Sequence, residues 1–112
     1  MAYAPERGDI ILIELSPQAG WEMAGEHRAI VLSERVFSVA TGWVVVCPIT
    51  TTIKGSPFEV RIPEGLKAHG CIVASELRTM DYRVRRARFM ETAPLGLIQQ
   101  VQAIACATIG CT

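Results

Sequence analysis

WVVVCPITTTIKGSPFEVRI, residues 43–62, is the stretch whose reading decides the fold. Its first seven residues are continuously apolar, which marks a strand covered on both faces and therefore central in a sheet. FEVRI (58–62) alternates: Phe58, Val60 and Ile62 point one way, Glu59 and Arg61 the other, as in a half-exposed strand. Between the two runs lie three threonines, a lysine and a glycine, more donors than a hairpin turn needs. Threonine suits strand ends, so Thr50, Thr51 and Thr52 beside a solvated Lys54 have a structural reading. Hydroxyls, backbone N–H groups and a cation in one loop are also what a phosphodiester requires. Both readings stand on these residues alone.

Working outward, DIILIEL (9–15) and RAIVLS (28–33) read as β-branched, apolar strands. SPQAGWEMAGEH (16–27) separates them as a long loop, and long loops in small domains are often functional. ERVFSVATG (34–42) fits a short helix or a wide turn. CIVAS (71–75) is a further buried strand, and residues 76–92 hold one or two short ones. From 93 to 110 apolar residues fall at 95, 98, 101, 104, 105 and 109, a helical spacing that predicts one amphipathic C-terminal helix. Trp43, opening an apolar strand, is expected in the core. Consecutive strands with little helix between them favour an antiparallel, barrel-like sheet, mainly β with a terminal helix. The 112 residues fit one domain, 1–112.

Net charge is zero, which argues against wholesale nonspecific nucleic-acid binding. The balance hides nine arginines against two lysines, and five of the arginines fall between 78 and 88. Arginine's planar fork suits phosphate. The four cysteines form no CxxC and no ligand pattern with His27 and His69, so no zinc is expected; Cys47, Cys71 and Cys106 read as buried small hydrophobes. The N-terminus lacks the apolar core of a signal peptide, and no stretch approaches the ~20 apolar residues that span a bilayer. A reducing cytoplasm is the expected setting. No nucleotide-binding or metal-hydrolase motif is present, and no cofactor is expected.

Arg28 sits where a polar loop gives way to an apolar strand. It reads as a surface arginine with rim carboxylates, or as a cation set against developing phosphorane charge, with Glu22 or His27 as proton acceptor. In an extended strand Arg83 and Arg85 share one face and Arg86 and Arg88 the other; a charged edge guarding the sheet is the simpler reading. Trp21, in the polar loop, could stack on a base or pack at a subunit interface.

Four stretches in order resemble the MazF/PemK family, the toxins of toxin–antitoxin pairs. They are RGDIILIELSPQAGWEMAG, RAIVLS, PITTTIKGSPFEV and RTMDYRVRRA, and together they span nearly the whole chain. The resemblance implies an SH3-like β-barrel with a C-terminal helix, acting as a homodimer. It implies metal-independent cleavage of single-stranded RNA to 2′,3′-cyclic phosphate and 5′-hydroxyl ends, and inhibition by a MazE-type antitoxin that covers the RNA groove. The family's catalytic arginine and threonine fall on Arg28 and Thr51, and its first-loop glutamate on Glu22. RNA contacts are expected from Trp21, His27, Thr50, Thr52, Lys54, Ser75, Glu76, Arg78, Arg83 and Arg85. Two departures stand out. The family's Arg-Pro is replaced by HRA, so an ungapped count puts His27 in the arginine's place and a one-residue shift restores Arg28. The family's aspartate before R-T/S-I reads Ser75, with Glu76 next. The alternative on the same barrel is a non-enzymatic toxin that binds DNA gyrase through its C-terminal helix.

Overall fold

A computed structural model of the chain describes residues 2–14 and 26–111. The apolar run predicted to be central forms β3 (Trp43–Thr50), and the sheet is built around it. Along one edge its first half pairs with β6 (Arg78–Asp81), from Trp43↔Asp81 to Val46↔Arg78, and its last two residues pair with β5 (Cys71–Val73). Along the other edge Val46, Cys47 and Pro48 pair with β2 (Glu26–Val31). β1 (Asp9–Glu14) lies between β2 and β7 (Arg88–Thr92), and β4 (Glu59–Arg61) pairs with β5. Every pairing is antiparallel, in the order β4-β5-β3-β2-β1-β7 with β6 alongside β3. The chain is thus a mainly antiparallel sheet, followed by the C-terminal helix α2 (Leu95–Ile109).

Strand alternation sorts the apolar side chains into two buried clusters. One joins Ile10, Ile30, Cys47, Val60 and Ile72 to Leu97 and Val101 of α2; the other joins Ile11, Ile13, Ala29, Val31, Val44 and Val46 to Met80 and Tyr82. Neighbours such as Ile10 and Ile11 feed opposite clusters, which is why DIILIEL and WVVVCPI are apolar throughout. Full burial of each Ile or Val contributes about 1.5–3 kcal/mol. A register shift between Ile10 and Ile11 marks a bulge in the β1–β7 pairing.

The short element after β2 is a helix, α1 (Arg35–Thr41), ended by left-handed Gly42. Helix α2 begins and ends within two residues of expectation, but its seam differs. Leu97, Val101 and Ala105 are buried, whereas Leu95 and Ile109 are exposed, because an i, i+4, i+8 row faces the sheet. Trp43 is 46% exposed rather than core, since it opens β3 at the end of the β3–β6 ladder, where little covers it. Cys47 and Cys71 are buried, but Cys106 is only half-buried. Strand β2 begins at Glu26, earlier than expected, because its pairing with β1 continues to Glu14↔Glu26.

The arginine run is not extended. Residues 82–87 form a turn in which Asp81 Oδ1 accepts from the backbone N–H groups of Arg83 and Val84 at 3.0 Å each. The Arg85 N–H donates to the Asp81 carbonyl at 3.1 Å, and Arg86 takes φ 55°. The two-face reading of Arg83, Arg85, Arg86 and Arg88 therefore does not apply.

Candidate active site

The threonine loop leaves the end of β3 and passes between two clefts. The first, about 550 Å³, is lined by Leu12, His27, Arg28, Ile49, Thr50, Thr51, Thr52 and His69. Its floor is set by strand register. Leu12 of β1 stands opposite Arg28 of β2, so Arg28 sits in a paired strand, one residue before the β2–β3 pairing begins at Ala29, rather than in a loose loop. Arg28 is exposed, His27 half-buried, and the Thr51 and Thr52 side chains are exposed. None of the described residues lining this cleft carries a carboxylate. It offers a guanidinium, two imidazoles and three hydroxyls, a donor set suited to an anion.

The loop's internal hydrogen bonds divide its donors. Thr50 Oγ1 accepts from the Thr52 N–H at 3.1 Å, a local turn that holds the loop in shape. Further on, the Glu59 carboxylate gathers the backbone N–H groups of Lys54, Gly55 and Ser56 at 2.9–3.2 Å. The loop's backbone donors are therefore not all open to a phosphate. Those at 54–56 are already engaged by Glu59, and the hydroxyl end of the loop faces the first cleft.

The second cleft, about 490 Å³, shares Thr50 and Thr52 with the first. It is lined by Pro48, Thr50, Thr52, Lys54, Ser56, Glu59, Val73, Ser75 and Glu76. Its lining includes one ammonium and two carboxylates. The reach of the Glu76 charge is visible at Cys47, whose thiol is pushed up to about 12, first by burial and second by Glu76.

The expected residues thus fall into two groups. His27, Arg28, Thr50, Thr51 and Thr52 share the first cleft; Lys54, Ser75 and Glu76 share the second with Thr50 and Thr52. Arg78, Arg83 and Arg85 line neither. Arg83 lies over the Tyr82 ring at 5.5 Å, and Arg85 Nη1 donates to the Glu14 carbonyl at 3.1 Å, tying the 82–87 turn to the end of β1. Trp21 and Glu22 lie outside the described residues. His69 entered the sequence reading only as a non-ligand. Its signal was the dipeptide His69-Gly70, closing a turn immediately before a buried strand.

Gly70 explains how that turn meets the threonine loop. It has φ +104°, and a Cβ built on it would lie 2.1 Å from the Thr50 carbonyl oxygen and 2.9 Å from Thr51 Cα. Only glycine lets the two backbones approach so closely.

Residues 6–108 match the family described as PemK-like, MazF-like toxin of type II toxin–antitoxin system. The endoribonuclease toxin MazF of Escherichia coli K12 is 34% identical over 101 residues, 90% of each chain. The crystal structure of MazF (Form-I) from Deinococcus radiodurans has a TM-score of 0.88 at 35% identity, covering 97% of this chain and 99% of that one. A MazE–MazF crystal structure (Form-II) from the same organism has a TM-score of 0.89 at 30% identity, covering 99% and 100%.

Proposed function

The chain belongs to the PemK-like, MazF-like family of type II toxin–antitoxin toxins, and from that premise we propose that it is an endoribonuclease cutting single-stranded RNA in the first cleft. The observation that carries this reading is the placement of Arg28 and Thr50–Thr52 along one cleft whose described lining holds no carboxylate. The RNA supplies its own nucleophile, so no activated serine or cysteine is needed. The 2′-oxygen attacks phosphorus in line, the bond to the 5′-oxygen breaks, and the products end in 2′,3′-cyclic phosphate and 5′-hydroxyl. Arg28 neutralises charge growing on the phosphorane oxygens, and Thr51 donates to the same group. Arginine stays protonated at neutral pH and is a poor base. The 2′ proton passes to Glu22 or His27, and imidazole suits that task near neutrality.

The remaining expectations belong to the same proposal. Lys54, Ser75 and Glu76 contact a neighbouring nucleotide across the loop, Arg78, Arg83 and Arg85 contact the RNA beyond the clefts, and Trp21 stacks on a base or packs at the subunit contact. The sheet curls into an SH3-like barrel, in keeping with one buried cluster that draws on β1, β2, β3, β4 and β5. The toxin works as a homodimer with two equivalent grooves, and a MazE-type antitoxin restrains it, as the MazE–MazF complexes of relatives suggest.

The test is incubation of purified protein with a long single-stranded RNA in EDTA, with product ends mapped. Discrete cuts at a recurring short motif with 5′-hydroxyl ends are expected. Intact RNA from a folded, antitoxin-free protein refutes the nuclease reading.

A further inference from the structure

In-line displacement needs two proton transfers on opposite sides of one phosphorus atom. The attacking 2′-oxygen must lose a proton, and the departing 5′-oxygen must gain one. With His27 of β2 as the base serving the first, the same side chain cannot also stand behind the leaving oxygen. The second donor has to come from another element. Among the described residues lining the first cleft, the titratable side chains outside β2 reduce to one, the imidazole of His69.

His69 is exposed, and the residues on either side of it are held. The two residues before it donate their N–H groups to one carboxylate, Lys67 to Glu91 Oε1 and Ala68 to Glu91 Oε2, both at 2.9 Å. After it, the Gly70 carbonyl accepts from the Ile62 N–H at 3.0 Å, and Gly70 abuts the Thr50 carbonyl where no side chain could fit. A held turn limits the positions the imidazole can take, which suits one that must meet a leaving oxygen within hydrogen-bond reach.

We propose that His69, which lines the same cleft as His27 and Arg28, is the general acid of the cleavage. The inference rests on the nuclease reading of the same cleft. As the phosphorus–5′-oxygen bond breaks, the oxygen takes the proton of the His69 imidazolium and leaves as a hydroxyl. The 2′ proton goes to the base on the other side, and His69 regains a proton from solvent.

The decisive experiment replaces the leaving oxygen. A short RNA with a single 5′-bridging phosphorothiolate at the cut site expels a thiolate, which leaves without being protonated. His69→Ala and the bulkier His69→Gln are compared with wild type on this RNA and on its all-oxygen twin. On the oxygen substrate both variants are expected to lose about 10²-fold or more in kcat. On the sulfur substrate both are expected within about threefold of wild type, since no acid is then required. His27→Ala is expected to remain impaired on both. An equal loss on the two substrates overturns the acid role and leaves His69 a binding residue. Undiminished cleavage of the oxygen substrate also overturns it. In either case wild type still cuts, so the nuclease reading survives; wild type that cuts neither RNA removes that reading and the acid with it.

Discussion

The two clefts share Thr50 and Thr52 and differ in nearly everything else. The first gathers Arg28, His27 and His69 with no carboxylate among its described lining; the second sets Lys54 against Glu59 and Glu76. A phosphate in the second would meet two like charges. At 4 Å and an effective dielectric of 20, each such pair costs about 4 kcal/mol, comparable with what two hydrogen bonds to a charged group return. Carboxylates and a serine instead suit the amino edges of an unstacked base. The difference fits the proposed division, with phosphate chemistry in the first cleft and base contact in the second. One polypeptide segment registers the two, because its hydroxyl end is shaped by Thr50 and its far end by Glu59.

Removing the cation of the first cleft should have the largest effect. Arg28→Ala is expected to lower kcat by about 10²- to 10³-fold, the cost of one preorganised donor to transition-state charge. Single-turnover cleavage of a short RNA measures it, and an undiminished rate would mean that the phosphate sits elsewhere. Thr51→Ala removes one hydroxyl donor to a charged group and should cost about 10- to 100-fold in kcat/KM, with Thr51→Ser recovering most of it. If the serine variant is as poor as alanine, Thr51 acts through its methyl group and the loop's shape rather than as a donor.

Gly70→Ala tests whether the two clefts depend on a shared scaffold. The substitution places a methyl against the Thr50 carbonyl at a positive φ, so the backbone must shift. A loss of about 1–3 kcal/mol of stability is expected, read as a lower Tm, together with about tenfold lower kcat/KM as Thr50–Thr52 and His69 move apart. A variant that melts lower yet cuts at the wild-type rate would separate the scaffold from the chemistry.

Sheet and helix were legible because periodicity reports which faces are covered. Continuous apolarity in WVVVCPI marked the strand that three others pair with, and the spacing from 93 to 110 placed α2 within two residues. What periodicity does not report is what lies beyond a strand's end, hence the misplaced Trp43 and the wrong edge of α2's seam. The first cleft was half legible. Arg28 and the threonines carry chemistry in their residue types, but His69 reaches them only through the β5 pairing and the Gly70 contact, which join residues about twenty apart in sequence. Glu59 was rightly placed on the polar face of its strand. That its carboxylate would collect three loop N–H groups depended on how residues 54–56 curl, and no spacing rule encodes that. The arginines at 83–88 were read as an extended, charged edge, and what the spacing did not show was the turn that Asp81 holds there.

The smallest expected effect probes the second cleft alone. Glu76→Gln keeps the side chain's size and one acceptor oxygen, but replaces a charge by an amide that can also donate. If Glu76 accepts from a base's amino group, its neutral replacement weakens that bond by about 1 kcal/mol and admits a keto oxygen at the same position. Total cleavage of a long RNA should change only slightly. Sequenced cut sites from a randomised RNA pool should instead show about three- to tenfold relaxed discrimination at one nucleotide of the motif. The structural control is Cys47. A neighbouring negative charge raises a thiol's pKa, so losing the Glu76 charge moves Cys47 back down, while burial, the larger cause, keeps it above its ordinary value. A Cys47 shift with an unchanged cut-site motif would mean that Glu76 is replaced cleanly but reads no base, and the division of labour between the clefts would have to be redrawn.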